Sequence, residues 1–395
     1  MSFSDEWPEV FVLDCGSSTF YAGIAGEDAP SCVFPSCIGT PKYSPIMISD
    51  CTMKSGYIGD QAIKREGILN LNYPIRNGII KNWDLMEILL DYTFQEILSK
   101  NTQNSECEIS DNESRSILFI DSILQPSSQK NHLMQLFFEK YGFGSFACSP
   151  QPLMSVYACG TTTALSLCLG EGVIQIVPCY WGFVDNNTTR RINFGGANVT
   201  DYMIKMLSEN HGICLEGNRS IVDQMIRKIG RVAEDYDREY ENSRMSSEGH
   251  QQYELPDGQV LNLSHEHFTC NEILFNPQII NSEYPGIVDI IQDSMQASNI
   301  DTRYGLYNNI IISGGVSLLP GLADRIRHDL AQLIPKSLRL SVVAAPERRY
   351  SSWIGGSIAG SLESFAEMAV AMADYEEYGC EALQRKKRFF DCFQP

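Results

Sequence analysis

Two short loops rich in small residues are the part of this sequence best suited to bind phosphate. Residues 14–18 read Asp-Cys-Gly-Ser-Ser after an apolar run, and residues 168–172 read Cys-Leu-Gly-Glu-Gly after another. Turns of this kind present consecutive backbone N–H groups to an anion, and small side chains let the main chain approach it closely. Because both loops interrupt strand-like patterns, the sequence predicts a duplicated fold that holds a nucleotide's phosphates from two sides. One such loop alone is more often a plain hairpin turn.

A third glycine pair lies near the end of the chain. Gly314 and Gly315 follow the apolar strand predicted at Asn309–Ser313 and precede the helix predicted at Gly321–Leu333. A strand, a glycine-rich turn and a helix in that order form a nucleotide-binding edge in α/β folds. This segment therefore adds a second kind of contact to the predicted nucleotide site.

The hydrophobic pattern predicts the elements that must position these loops. Alternating residues over Glu9–Ala29 predict a β-hairpin, and the apolar run Ser116–Ile120 predicts a buried strand. Helical spacing predicts helices over 84–98, 132–141, 152–159, 200–210 and 220–245. The polar segment 99–114 contributes little to a core and is interpreted as a surface insertion.

Composition narrows the class of protein. The 395 residues carry a formal net charge of −19, which argues against direct binding to nucleic acid, since that binding uses Lys and Arg to neutralise phosphates. No run reaches the roughly 18 apolar residues of a spanning helix, and the first residues lack a secretory signal, so we expect a cytoplasmic or nuclear protein without a membrane partner. The 13 cysteines form no C-x-x-C pair and are expected to be reduced.

Eight ordered motifs resemble the actin family. They include Trp353-Ile354-Gly355-Gly356-Ser357 and the six residues from Tyr253 to Gly258, and they keep nearly the spacing of an actin from about residue 9 to residue 390. The other motifs lie at residues 28–30, 57–60, 73–75, 82–84, 312–315 and 320–325. The sequence is thus identified as a divergent member of the actin and actin-related family.

The resemblance implies an α/β fold, the actin-like ATPase fold, in which two ribonuclease-H-like halves close over a nucleotide cleft. It also implies four subdomains. Subdomain 1 takes residues 1–35, 73–158 and 351–395, subdomain 2 takes 36–72 with an exposed loop at 43–55, subdomain 3 takes 159–194 and 283–350, and subdomain 4 takes 195–282. The insertion at 99–114 interrupts the first of these.

The resemblance implies a set of nucleotide and metal residues. Asp14 matches the acidic residue that holds Mg²⁺ or Ca²⁺ through water, and Gln151 matches the glutamine that positions the hydrolytic water. ATP or ADP would be contacted by Gly16, Ser17, Ser18, Gly170, Glu171, Gly172, Gly314, Gly315, Val316 and Arg349. From the residues alone, Gln151 has a second interpretation as a helix cap next to Pro152.

Five positions depart from the family pattern. Tyr21 replaces a phosphate-binding lysine, Cys168 an aspartate beside the metal, and Gln175 a histidine near the hydrolytic water. Ile226 and Arg227 replace a Lys-Glu pair at the base and ribose. A thiol is a poor ligand for Mg²⁺, and glutamine has no useful pKa for proton transfer. Cys168 is equally compatible with a small core residue in a strand.

These departures predict a nucleotide-binding structural subunit of a cytoskeletal or other multi-protein assembly, with weak or absent ATP hydrolysis. Its expected partners are other actin-like subunits or a larger complex, in the cytoplasm and cytoskeleton or in a nucleus or axoneme. Pro45 and Asp50 in the exposed loop, and Ala369 in place of a groove tryptophan, argue against ordinary actin filaments. The alternative is a divergent polymerising actin with a slow, working ATPase.

Overall fold

The computed structural model describes residues 9–42, 56–101, 115–215, 217–246, 249–335 and 338–391. The exposed loop predicted at 43–55 lies outside these residues, as does most of the predicted insertion. Among the residues described, no helix is both long and apolar enough to cross a membrane.

The strands are β1 (Val10–Cys15), β2 (Thr19–Ile24), β3 (Cys32–Pro35), β4 (Ile38–Pro41), β5 (Tyr57–Ile58), β6 (Leu69–Asn72), β7 (Ile75–Arg76), β8 (Ile79–Ile80), β9 (Ser116–Asp121), β10 (Ser145–Pro150), β11 (Ala164–Leu169), β12 (Ile174–Tyr180), β13 (Phe183–Val184), β14 (Arg190–Ile192), β15 (Gln251–Glu254), β16 (Val260–Leu263), β17 (Ile310–Ser313), β18 (Val342–Val343) and β19 (Val370–Ala371).

The helices are α1 (Asp60–Ile63), α2 (Trp83–Asn101), α3 (Ser127–Gln135), α4 (Gln151–Ala158), α5 (Gly196–His211), α6 (Arg219–Ile229), α7 (Tyr236–Met245), α8 (Glu266–Glu272), α9 (Ile287–Ala297), α10 (Ile300–Tyr307), α11 (Leu322–Leu333), α12 (Ser351–Gly360), α13 (Phe365–Met368), α14 (Met372–Tyr378) and α15 (Glu381–Asp391). A π-helical turn follows α3 at Leu136–Lys140.

The chain divides into two compact units. The first contains residues 1–36, 73–161 and 350–395, and the second contains residues 37–72 and 162–349. Each unit is built on a six-stranded mixed sheet. The finer division into four subdomains stays a prediction.

The two large sheets share one arrangement of strands. In the first unit, β1 pairs antiparallel with β2 and parallel with β9, which pairs parallel with β10. In the second unit, β11 pairs antiparallel with β12 and parallel with β17, which pairs parallel with β18. The predicted duplication is therefore present as a repeated hairpin followed by two parallel strands.

Helix α12 packs very closely on α4 in the first unit. The indole of Trp353 is fully buried and donates from Nε1 to the carbonyl oxygen of Val12 at 3.0 Å. A β-carbon added at Gly355 would lie 1.7 Å from the carbonyl oxygen of Met154, and one at Gly356 would meet the side chains of Ile120 and Val12. The glycine face of α12 thus fixes α4 and β1 in place.

Most predicted elements are confirmed, but several boundaries were wrong, among them the start of α5, which begins at Gly196 instead of residue 200. The segment 220–245 is two helices, α6 and α7, because the chain leaves the helix at Gly230, whose φ of −65° and ψ of 141° are extended. The helix expected from His132 begins at Ser127. The predicted insertion begins too early, since α2 continues to Asn101.

We expect the Gly355→Ala variant to be destabilised by about 3 kcal/mol or more, because the added methyl group overlaps a backbone oxygen that cannot move alone. Urea unfolding followed by circular dichroism measures this loss. Gly305→Ala in α10 is the matched control, since its β-carbon would meet only the Thr163 methyl at 3.6 Å. That change should stabilise the protein by up to about 1 kcal/mol. Equal effects of the two variants would contradict the close packing.

Candidate functional site

Hydrogen bonds to other residues of the same unit stabilise the first glycine loop. The Gly16 amide donates to the Thr19 carbonyl at 3.0 Å and closes the turn between β1 and β2. Ser36 donates from its hydroxyl to the Gly16 carbonyl at 2.7 Å and from its amide to the Ser18 carbonyl at 2.9 Å. The Ser17 hydroxyl accepts from the Gly78 amide at 3.1 Å. These bonds occupy two carbonyl oxygens and one hydroxyl of the loop.

The second glycine loop repeats the same turn. The Gly170 amide donates to the Val173 carbonyl at 3.0 Å, as in the first loop. The carbonyl oxygens of Gly170 and Glu171 accept from the Gly196 and Ala197 amides at 3.1 and 2.8 Å. A β-carbon at Gly195 would lie 2.4 Å from the Gly170 carbonyl oxygen, so glycine is required there. Hydrogen bonds from the first residues of α5 therefore stabilise this loop.

Both loops leave a pair of neighbouring amides available to a ligand. Among the described residues, no protein group accepts from the backbone N–H of Ser17 or Ser18, or from that of Glu171 or Gly172. Adjacent unused amides in a tight turn form an anion-binding concavity. The residues present therefore fit phosphate groups at each loop.

Asp14 lies at the end of β1 in contact with two polar side chains. It is 3% exposed, and its Oδ1 accepts from Gln151 Nε2 at 2.6 Å, while Ser352 supplies a second hydrogen bond. Burial raises the pKa of Asp14 to about 6, and the hydrogen bonds from Gln151 and Ser352 oppose this shift. A partly protonated, buried carboxyl group of this kind becomes fully ionised when a cation is bound beside it.

Gln151 is the first residue of α4, one residue after the cap position at Pro150. Its side-chain amide donates to Asp14, and the interpretation of Gln151 as a helix cap stays a prediction. Cys15, next to Asp14, is half-buried, and desolvation together with the charges of Asp14 and Asp121 raises the pKa of its thiol well above the usual value. Cys15 is thus a neutral thiol beside the carboxylates.

Cys168 occupies the position in the second sheet that Asp14 occupies in the first. Each lies two residues before the turn glycine, and in the strand pairing Asp14 is opposite Tyr21 and Ile120 while Cys168 is opposite Gln175 and Ser313. Cys168, Gln175 and Ser313 are all buried. The repeated hairpin therefore carries a carboxylate in one unit and a thiol in the other.

The described residues hold no cluster of three or more His, Cys, Asp or Glu side chains that could cage a metal ion. Mg²⁺ commonly keeps several waters and binds through one or two carboxylates plus substrate phosphates. Asp14 fits that kind of site, in which the ion is held through water and the nucleotide. The thiol of Cys168 does not fit it, because hard cations prefer oxygen ligands.

The third glycine segment packs against the second loop. Gly314 has a φ of 91°, and a β-carbon there would lie 2.3 Å from the Leu169 carbonyl oxygen. Its amide donates to the Arg348 carbonyl at 3.0 Å, and the Arg348 guanidinium binds the Ser317 and Ala345 carbonyls at 3.1 and 2.9 Å. This segment thus lies beside the second loop, and apart from the chain neighbours of Gly315 no described residue has an atom within 4 Å of its β-carbon position.

Val316 and Glu171 meet at Gly196. A β-carbon at Gly196 would lie 2.7 Å from Glu171 Oε2 and 3.0 Å from Val316 Cγ2. Two loops that are about 145 residues apart in sequence therefore converge on the first turn of α5. Gly170, Glu171, Gly172, Gly314, Gly315 and Val316 form one cluster in the second unit.

The other four residues named in the sequence analysis of the site differ in how far they are buried. Tyr21 is packed in the core edge-on to Tyr350, with ring centroids 5.5 Å apart. Ile226 belongs to the core of the second unit, and Arg227 is half exposed and paired with Asp223 at 2.8 Å. Arg349 is half-buried.

Three contributors to the site were missed from the sequence. Ser352 touches Asp14, Arg348 braces the third glycine segment, and the Gly195-Gly196 pair holds the second loop. A Gly-Gly pair directly before a helical pattern was a usable signal, since the same signal identified Gly314 and Gly315. No local sequence signal identifies Ser352 or Arg348, because their roles depend on contacts with residues far away in the sequence.

The raised pKa of Asp14 has a consequence for stability. Its pKa is about 6 in the folded protein against 3.8 for the unperturbed group, so the folded state resists its ionisation. We expect Asp14→Asn to raise the free energy of unfolding by about 2 kcal/mol above pH 6 without divalent cation, with the gain lost as the pH falls from 6 to 4. Chemical unfolding in EDTA at several pH values measures this gain.

With Mg²⁺ and ATP present, the wild type should become the more stable of the two proteins, because its ionised carboxylate would hold the cation. The exposed Asp28 provides a control, since Asp28→Asn changes the net charge equally. A gain from Asp14→Asn that persists unchanged at pH 4 would contradict the assignment.

Comparison with protein families agrees with this geometry. The family model described as Actin matches residues 5–218 and 215–388. The match spans nearly the whole chain and includes both glycine loops and the α12 motif. The chain belongs to the actin family.

Proposed function

We propose that this chain binds ATP or ADP with Mg²⁺ or Ca²⁺ and serves as a structural subunit of a multi-protein assembly, with weak or absent hydrolysis. Nucleotide binding is supported by the unused amides of the two loops, at Ser17 and Ser18 and at Glu171 and Gly172. Assembly with other actin-like subunits or a larger complex, in the cytoplasm and cytoskeleton, is supported by membership of the family.

The observation that carries the prediction of weak hydrolysis is the thiol at Cys168. The repeated hairpin places it where the other half carries Asp14, and its neighbours across the sheet are Gln175 and Ser313. A thiol, an amide and a hydroxyl therefore stand at this position and at its two neighbours across the sheet, where the first unit carries the Asp14 carboxylate. The second unit thus offers amides to phosphate but no carboxylate at the position of Cys168, which supports weak hydrolysis.

The first unit supplies the groups that would position a cation and a water. The Asp14 carboxylate would hold a metal ion through water, and the cation would neutralise phosphate charge. Gln151 already donates to Asp14 at 2.6 Å, so its amide is engaged by the carboxylate. An amide can orient a water molecule but cannot take its proton, which supports slow ATP hydrolysis.

A divergent, polymerising actin with a working ATPase is the second candidate. It is favoured by the contact between Asp14 and Gln151, because both residues that the family resemblance assigns to the metal and the hydrolytic water are present and adjacent. The two candidates differ in the fate of the γ-phosphate and in self-association.

Native mass spectrometry with acid extraction of bound nucleotide distinguishes them. We expect one intact ATP per chain after incubation with Mg²⁺ for hours, in a complex with other proteins when the chain is purified from its own cells. The physical reason is that the loops would bind phosphate through their amides, while Cys168 and Gln175 replace the family residues beside the metal and the hydrolytic water.

Recovery of ADP, with phosphate release and pelleting on addition of salt and Mg²⁺, would establish the second candidate. A chain with no nucleotide under any condition would overturn both. Gly170→Ala is a useful negative control, because its β-carbon would press on the Val173 carbonyl oxygen at 3.1 Å and disturb the turn.

A further inference from the structure

An exposed tryptophan lies at the turn of the hairpin formed by β12 and β13. The side chain of Trp181 is 64% exposed, and its ring stacks on the ring of Tyr180 with centroids 5.3 Å apart and planes within 10° of parallel. Tyr180 is exposed as well. Two stacked aromatic rings of the second unit therefore face solvent instead of the core.

The backbone at Trp181 has a conformation that a bulky side chain rarely adopts. Trp181 and Gly182 form the two-residue turn between the paired strands, with φ of 50° and 82°. Positive φ at both positions of such a turn favours the dipeptide Asn-Gly, and a tryptophan at the first position is strained. Because the indole is mostly exposed, burial does not compensate for this strain. Strained backbone of this kind is found most often at functional sites.

Two further exposed apolar side chains lie on α10. Ile300 and Tyr304 are 74% and 58% exposed, and a spacing of four residues places them on one face of the helix. Thr163 lies between this helix and the hairpin. Its Oγ1 accepts from the Trp181 amide at 3.1 Å, and its methyl group lies 3.6 Å from the β-carbon position of Gly305. Gly305 directly follows Tyr304, so the two exposed pairs are neighbours.

The strand pattern places both pairs on the same side of the sheet. Alternation along β12 puts Tyr180 on the face of Ile174 and Ile176, which pack in the core with Leu306 of α10. We name the residues Tyr180, Trp181, Ile300 and Tyr304 the aromatic patch. A cluster of exposed apolar side chains of this size is typical of a protein interaction site.

Two exposed carboxylates flank the aromatic patch. Asp301 lies in the first turn of α10, three residues before Tyr304 and on the same side of the helix. Phe183 is paired directly with Tyr180 across the hairpin, so alternation places Asp185 on their face, two residues farther along. Negative charge is therefore present at both ends of the patch.

The basic residue of α10 does not neutralise these carboxylates. The guanidinium of Arg303 donates to the carbonyl oxygens of Ser298 and Gln296 at 3.0 and 2.7 Å. The whole chain carries a net charge of −19, which disfavours a second copy as the partner of an acidic surface. A cation is attracted both by the face of an aromatic ring and by a carboxylate, and the planar guanidinium of arginine also stacks on such rings.

We propose that the aromatic patch is a docking surface for a basic, arginine-containing segment of a partner protein. The guanidinium groups of that segment lie on the rings of Tyr180 and Trp181. Their charge is matched by Asp185 and Asp301. This inference adds a partner surface to the proposed assembly and does not depend on nucleotide binding.

Fluorescence anisotropy of a labelled peptide of alternating arginine and glycine, titrated with the full chain, tests the inference. The wild type should bind the peptide saturably. Trp181→Asn should raise the Kd about tenfold or more, as loss of a central aromatic contact does at protein interfaces. The same variant should unfold at a higher urea concentration than the wild type, because asparagine suits this turn. Misfolding then does not account for its weaker binding.

Matched variants separate the patch from the overall charge of the protein. Asp301→Asn should raise the Kd about threefold, whereas Asp28→Asn, an equal charge change at an exposed position of the first unit, should leave it unchanged. Ile68→Ala removes a similarly exposed apolar side chain elsewhere in the second unit and should bind as the wild type does.

Four outcomes would overturn the docking surface. They are equal affinity of the wild type and Trp181→Asn, equal weakening by Asp301→Asn and Asp28→Asn, no binding of the peptide by the wild type, and a homodimer in sedimentation that Trp181→Asn dissociates. The last would make a second copy the occupant. None of them bears on the nucleotide, because the assay contains none, and the native mass spectrometry described above tests that proposal separately.

Discussion

The close approach of α12 to α4 is the contact on which the surroundings of Asp14 in the first unit depend. Only glycine at position 355 allows the Met154 carbonyl to lie where it does, and the buried indole of Trp353 ties the same helix to Val12 of β1. Because Ser352 precedes that indole and Gln151 begins α4, both side chains reach Asp14. The close packing of α12 on α4 thus determines which side chains form hydrogen bonds to the Asp14 carboxylate.

The glycine loop of the second unit is built on the same kind of hairpin with different side chains. The turn bonds of Gly16 and Gly170 are both 3.0 Å long, so the same backbone turn is present in both units. What differs is Cys168 in place of a carboxylate. Backbone amides bind phosphate whatever the side chains are, whereas metal binding and proton transfer need particular side chains. A duplicated fold can therefore keep the backbone amides that bind phosphate while it loses the side chains that metal binding and proton transfer need.

The sequence predicted the backbone of the site better than its side-chain partners. The hairpins and the Gly314 turn were recognisable because glycine and strand alternation are local signals, and they lie where expected. The break between α6 and α7 was missed because Gly230 lies between two charged helical patterns that look continuous. The contact of Ser352 with Asp14 joins residues far apart in sequence, as does the meeting of Val316 and Glu171 at Gly196. No local pattern encodes such contacts.

The buried carboxyl group of Asp14 links the packing of the first unit to pH. Its pKa of about 6 has burial as the largest cause, and the hydrogen bonds from Gln151 and Ser352 oppose the shift. Asp14 would have to be ionised to hold a cation, so falling pH would weaken that contact. The packing that positions Gln151 and Ser352 also keeps water from solvating Asp14, and the ionisation of this group is therefore sensitive to what is bound beside it.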